Sequence, residues 1–308
     1  MAARARLDAA VVLVGNAADN GHHAVVAQLL EARANVNRAN NSGATPLFHA
    51  ARRGYDAVVA QLVRAGADVN RANEGGETPL FGAAHYDPNN DHGAVVAQLL
   101  AAGANVNQAR NDGVTPLHKA AQQGRAAIVA QLVAAGADVD RANQSGDTPL
   151  NIAARNDHIN VVEMLCQYMQ RKKQIHNEQQ LAINRLMRRH NAPHGTDTRH
   201  IIAQYVDDYV DSINVPDHTG KSPLWIAAQR FHVNVVRCLL HYGANRNKTD
   251  NNNITPLQAA RANDPGGDLR KAQARAAVIE LLSEQPPSHS NKRPKLQNVA
   301  LSLVHLKL

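Results

Sequence analysis

Two stretches of the chain carry side chains of the kinds that perform chemistry. In HYDPNNDHG, residues 85–93, the side chains of His85, Asp87, Asp91 and His92 offer imidazoles and carboxylates, the donor types that hold a divalent metal. Farther along, His190, His194, Asp197 and His200 follow Cys166, and a thiol with imidazoles near it is the minimum for a nucleophilic centre or a mixed metal site. Neither set has a supporting pattern. No zinc-type Cys/His spacing accompanies the first, no oxyanion-hole loop or recognisable nucleophile setting accompanies the second, and no phosphate-binding glycine loop occurs anywhere. A polar inserted loop accounts for the first set, and packing as a small apolar residue at the end of VVEMLC accounts for Cys166. The sequence assigns no catalytic residue, metal or cofactor; an enzyme, the second reading, would carry its site in residues 167–200.

The elements that surround these stretches repeat. Thr-Pro or Ser-Pro steps place prolines at Pro46, Pro79, Pro116, Pro149, Pro223 and Pro256, with gaps of 33, 37, 33, 74 and 33 residues. A fixed period of this length is the mark of a solenoid, in which each unit buries its apolar face against its neighbours. In NSGATPLFHAARRGYDAVVAQLVRAGADVNRAN, residues 41–73, Thr45 caps a first helix and Pro46 fills the first turn, where its missing N–H has no partner to lose. Leu47, Ala50 and Ala51 form an apolar face small enough for close approach, and Gly54 stops the helix. Val58, Val59, Leu62 and Val63 line a second helix that Gly66 ends, and an Asn/Asp/Gly-rich segment turns into the next unit. With aromatics at only 3% of the residues, cores must close by bringing backbones together, which suits stacked short helices.

The pattern G-x-TPL-x-x-AA-x-x-G…VV-x-x-L…GA-x-VN resembles the ankyrin repeat, across roughly residues 8–167 and 213–284. The resemblance implies an all-α solenoid of about eight helix-turn-helix units with short turn fingers, one unit degenerate and elongated. Good copies start at Asn41, Glu74, Asn111, Gln144, Pro216 and Asp250. The expected organisation is an ankyrin-repeat domain over 1–284: a capping unit at 1–40, well-matched units over 41–176, a degenerate unit at 177–214 and C-terminal units with a cap at 215–284. In that reading residues 175–190 make a lengthened first helix, HNAPHGTD a loop, and HIIAQYVDDYVDSIN a second helix with its exit turn. The family usually has His after Thr-Pro-Leu, bonding between neighbouring units. Here only His118 keeps it, with Phe48, Phe81, Asn151, Trp225 and Gln258 elsewhere.

Members of this family hold partner proteins with the turn tips and with the exposed positions after the paired alanines. Carried onto this chain, those are Asn41, Ser42, Arg52 and Arg53; Glu74, His85 and Tyr86; Asn111, Asp112, Gln122 and Gln123; Gln144, Ser145, Arg155 and Asn156; and His218, Gln229 and Arg230. The resemblance implies a scaffold or adaptor that binds another protein as a monomer. Leu62, Asp68 and Asn70 resemble the pattern by which ankyrin-repeat asparagines are hydroxylated in animal cells, against a plain role for Asn70 in its turn. Near-verbatim copies of VVAQL with a polar tail resemble ankyrin proteins that intracellular bacteria deliver into host cells.

Charge is unevenly placed. The net charge is +7: residues 1–167 carry −2, residues 168–200 carry +5, residues 201–284 balance and residues 285–308 add +4. The cluster Arg171, Lys172, Lys173, Arg185, Arg188 and Arg189 suits an acidic partner, but without interleaved aromatics it does not make a nucleic-acid groove; a nuclear regulator associated with nucleic acid is the third reading. In the flexible basic tail expected over 285–308, Lys292, Arg293 and Lys295 look like a short nuclear import signal. No apolar run reaches the ~18 residues that span a bilayer, AAVVLV reads as a first helix, and two cysteines are too few for a disulfide-held secreted fold. Those features predict a cytoplasmic protein, with the nucleus or a host cell as the further destinations named.

Overall fold

The computed structural model describes residues 13–85, 92–189 and 212–284. Among them every element is helical, and the helices come in seven antiparallel pairs. The inner helices are α1 (13–19), α3 (Pro46–Arg53), α5 (Pro79–Ala83), α7 (Pro116–Gln122), α9 (Pro149–Arg155), α11 (Pro223–Gln229) and α13 (Pro256–Ala262). Their outer partners are α2 (His23–Glu31), α4 (Asp56–Arg64), α6 (Gly93–Ala101), α8 (Ala126–Ala134), α10 (Ile159–Arg189), α12 (Val233–His241) and α14 (Leu269–Ser283).

The inner helices from α3 onward all start the same way. Thr45, Thr78, Thr115, Thr148, Ser222 and Thr255 each accept from the backbone N–H three residues on, and proline occupies the first turn. Behind the caps the paired alanines, among them Ala50, Ala51, Ala120, Ala121, Ala153 and Ala154, are fully buried, as are Leu47, Leu62, Leu99, Leu117, Leu132, Leu150 and Leu165. One apolar cluster runs unbroken from Val14 to Leu282. Because the buried inner side chains are small, each leucine is closed in on all sides and contributes on the order of 1.5–3 kcal/mol by leaving water.

The interruption departs from the expected arrangement. α9 packs on α11 and α10 on α12, so the unit at Pro216 stacks directly on the unit at Gln144. The His218 N–H donates to the Ser145 carbonyl at 3.2 Å, and a His232 ring nitrogen lies 2.9 Å from the Ala154 carbonyl. No helix pair among the described residues stands between them. Residues 175–189 are the end of α10, continuous with the outer helix of the Gln144 unit, and not a first helix of their own. The reason is local: α4, α6, α8 and α12 are followed by Gly66, Gly103, Gly136 and Gly243, all left-handed, whereas the equivalent position of α10 is Met169, buried and helical. The chain re-enters the stack through the buried 3-10 turn Ser212–Asn214, which closes the expected exit-turn sequence; residues 190–211 lie outside the described residues.

The contact usually made by the family's histidine survives in altered form. His118 places Nε2 3.0 Å from the Asp147 carbonyl, and Trp225 donates from Nε1 to the Ile254 carbonyl at 2.9 Å, the same step of 29 residues. Phe48 and Phe81 replace it by apolar burial, while Asn151 keeps a buried amide nitrogen with no protein partner.

Candidate functional site

Apart from the one that carries Arg110, the fingers are built by an asparagine or aspartate that folds the backbone over its own carboxamide or carboxylate. Asn40 Oδ1 accepts from the N–H groups of Ser42 and Ala44, Asn143 Oδ1 from Ser145 and Asp147, Asp217 Oδ1 from Thr219 and Lys221, and Asp250 Oδ1 from Asn252 and Ile254, all at 2.9–3.1 Å. The tips then join into a row. Glu74 N–H donates to the Ser42 carbonyl at 3.0 Å, Asn111 to Gly75 at 3.1 Å, Gln144 to Asp112 at 3.0 Å, and Asn251 to Thr219 at 3.1 Å. Glycine is required at this junction: Gly146 has φ of +78°, and a Cβ there would sit 2.4 Å from the His218 nitrogen. A second ladder lies deeper, with Asn37, Asn70 and Asn107 each donating Nδ2 to a glycine carbonyl of the next unit at 3.2 Å. Asn70 also accepts from the Asn105 N–H at 2.7 Å, so its amide is committed to this turn.

The proposed contact residues divide into two groups. Asn41, Ser42, Glu74, Ser145 and His218 stand exposed at the tips, and Arg52, His85, Gln122, Asn156 and Arg230 stand exposed at the ends of the inner helices. The rest are tied into the frame. Asn111 and Gln144 donate their side-chain amides to the preceding tips, at the carbonyls of Glu74 (2.9 Å) and Asn111 (2.8 Å). Arg53 pairs with Asp19 at 3.1 Å, Gln123 and Gln229 are half-buried, and the Gln229 carbonyl accepts from Asn263 at 2.6 Å. Arg155 grips both oxygens of Asp147 at 2.6 Å and reaches Asp217 at 3.6 Å, which holds the guanidinium even more firmly protonated than usual. Tyr86 lies outside the described residues.

Between the fingers and inner helices of the third to fifth units is a cleft of about 320 Å³, to which Asp112, Gln122, Arg155 and Asn156 all contribute. Its other walls include Phe81, Arg110 and Lys119, which were not among the expected contact residues. The Arg110 guanidinium lies 5.6 Å from the Phe81 ring centre, bonds Asp112 through Nε at 2.9 Å and approaches Glu77 at 3.6 Å. Lys119 donates to Gln122 Oε1 at 3.2 Å, and burial together with nearby Arg110 draws its ammonium below the usual lysine value, against the pull of Glu77. A signal for Arg110 was present in the sequence: it stands where the other fingers carry Asn40, Asn73, Asn143, Asp217 or Asp250.

Of the residues considered for chemistry, His85, His92 and Cys166 are described. His92 is fully buried with Nε2 3.0 Å from the Arg52 carbonyl, while His85 is exposed; Asp87 and Asp91 lie outside the described residues. His158 makes the equivalent contact with the Gln122 carbonyl at 2.9 Å, so these imidazoles tie one unit to the next. Among the described residues no group of three or more His, Cys, Asp or Glu is placed to hold a metal ion, and no helix is long and apolar enough to cross a membrane. His190, His194, Asp197 and His200, like Lys292, Arg293 and Lys295, lie outside the described residues.

The family model for ankyrin repeats matches in three copies, at residues 14–108, 80–177 and 190–285. The chain is an ankyrin-repeat protein. The crystal structure of the human ASB11 ankyrin repeat domain is similar to this ankyrin-repeat chain with a TM-score of 0.64 at 21% identity, covering 89% of this chain and 99% of that one, which shows the shared fold. No curated protein matches it. Ankyrin repeats generally mediate protein–protein interaction, and the fold is typically a non-enzymatic module.

Proposed function

We propose that this ankyrin-repeat protein is a non-catalytic adaptor that holds one partner protein on the face shared by the finger tips and the ends of the inner helices. The observation that carries the reading is the cleft of about 320 Å³ on that face, where Arg110 and Lys119 stand over the buried Phe81 ring at the centre of a row of exposed polar side chains. An arginine side chain in a recess of this kind is a usual energetic anchor of an interface. The frame beneath is constant from unit to unit while the displayed side chains change, so the shape is generic and the chemistry specific. The host-modifying enzyme in residues 167–200 and the nuclear, nucleic-acid-associated regulator are not advanced: His190, His194, Asp197 and His200 and the basic residues of the tail lie outside the described residues, and in the basic cluster on α10 Lys172 is paired with Asp140.

The test is affinity capture with quantitative binding of whatever is recovered, using the intact chain, a variant with Arg52, His85, Gln122 and Arg230 changed to alanine, and a variant lacking residues 190–211. These four side chains are exposed, so the frame should melt unchanged. Binding weakened at least tenfold by the alanine set and retained by the deletion supports the reading. Binding retained by the alanine set and lost with the deletion overturns it and moves the working surface to the interruption.

A further inference from the structure

The two cysteines, far apart in sequence, are neighbours in the fold. Cys166 lies on α10 and Cys238 on α12, the outer helices of the two units that pack together across the interruption. Cys166 is fully buried in the continuous apolar core, and Cys238 is half-buried against that core with one side open to solvent. Each thiol is the largest influence on the other: Cys238 and burial push the Cys166 thiol up, while Cys166 draws the Cys238 thiol down. Glu163 opposes ionisation of both, and Tyr242 and Gln167 interact beside them. A thiol pair that cannot ionise twice, with the more exposed member ionising first, has the division of roles that oxidative coupling needs.

We propose that Cys166 and Cys238 form an intramolecular disulfide when the protein meets hydrogen peroxide, joining α10 to α12 across the interruption. The Cys238 thiolate attacks one peroxide oxygen, the O–O bond breaks, and the departing hydroxide takes up a proton as water, leaving a sulfenic acid on Cys238. The Cys166 sulfur then attacks the Cys238 sulfur, the S–O bond breaks, and the hydroxyl leaves as water with the Cys166 proton. Two thiols and one peroxide become one disulfide and two waters; the sulfurs lose two electrons and the peroxide gains them. Helix axes about 8–10 Å apart, with Cα atoms about 2.3 Å from each axis, leave facing Cα atoms about 3.4–5.4 Å apart, a range that overlaps the roughly 4.4–6.8 Å that a disulfide spans. The placement gives the bond its consequence. Everywhere else successive units are joined by a short finger, but here the chain leaves at Arg189 and returns at Ser212, so the junction with the longest connection is the one the bond would close.

The full chain, reduced and then treated with hydrogen peroxide, is assayed by thiol titration, by peptide mapping without reductant and by thermal melting. The expected result is loss of both thiols, a linked peptide containing Cys166 and Cys238 in a monomer lighter by two hydrogens, and a melting temperature raised by about 5 °C or more, all reversed by dithiothreitol. In Cys166→Ser the reaction should stop at a sulfenic acid on Cys238 that dimedone traps; in Cys238→Ser, Cys166 should stay reduced under the same treatment. Intermolecular dimers, a sulfinic acid on Cys238 beside an intact Cys166 thiol, or two unreacted thiols would each overturn the proposal. Should a serine variant fail to melt cooperatively, the peptide map of the unsubstituted chain decides alone.

Discussion

Neighbouring outer helices α8 and α10 begin alike, with IVAQLV and VVEMLC, and end differently. α8 stops after 9 residues, and Gly136 at φ +86° turns the chain into a finger. α10 runs for 31 residues, about 46 Å at 1.5 Å per residue, because Met169 occupies the place of that glycine and extends the buried face by another turn. The finger asparagine changes with it. Asn70 and Asn107 bond the next unit, but at Asp140 the carboxylate instead meets Lys172 of α10 at 3.1 Å. Loss of one left-handed residue and one amide thus turns a finger junction into a projecting arm, without breaking the core that continues into α12.

The largest expected contrast lies in burial along the two helices. Leu132→Ala in α8 should cost about 2–5 kcal/mol, because it empties a fully enclosed site, whereas Leu181→Ala in the arm, 56% exposed, should stay within about 0.5 kcal/mol in urea unfolding. Equal losses would mean that the arm is packed in solution. Next, Arg155→Met leaves the largely buried Asp147 and Asp217 without their shared cation and should destabilise by about 1–3 kcal/mol, a loss visible as a lower urea midpoint at unchanged slope.

Gly136→Ala forces a side chain into a left-handed position with open space around it, so strain alone should cost about 1 kcal/mol; no loss would show that the helix stop tolerates other residues and that Met169 is not the cause of the arm. A pH test follows from the buried imidazole of His118 and the half-buried one of His49. Burial lowers His118 and His49 below the ordinary 6.5, so the unfolded chain binds protons there before the folded one does. Their contribution is complete above pH 6.5 and falls as the pH drops through and below it. Asp19, held below 3.8 by Arg53 despite its burial, keeps its contribution until more acid conditions. His118→Asn should therefore flatten the decline in stability between pH 7 and 5 by up to about 1 kcal/mol, read from urea midpoints at the two values. Smallest of all, Asp140→Asn removes the half-exposed pair with Lys172 and should change stability by less than about 0.5 kcal/mol, with the amides of residues 168–175 still protected in hydrogen exchange. Loss of that protection would assign the arm to the ion pair and not to Met169.

The sequence by itself determined the frame, because its devices are local. Thr-Pro caps, paired alanines and stopping glycines each act within one turn of helix, so their positions located α3, α7, α9, α11 and α13 and placed the exposed Arg52, Gln122 and Arg230 on one face. Substitutions of those devices carried meaning that local reading did not extract: Met169 for glycine and Asp140 for asparagine marked the arm, and the surplus length was read as one more unit. Only the tertiary structure decided which unit stacks on which, since a gap of 74 residues leaves the neighbour of the Pro216 unit open until the His218–Ser145 and His232–Ala154 contacts fix it. It also decided which displayed residues are free and which are spent, because Arg155 and Arg52 read alike in sequence and only one finds Asp147. The meeting of Cys166 with Cys238 is of the same kind, a contact set by stacking, which no spacing along the chain can state.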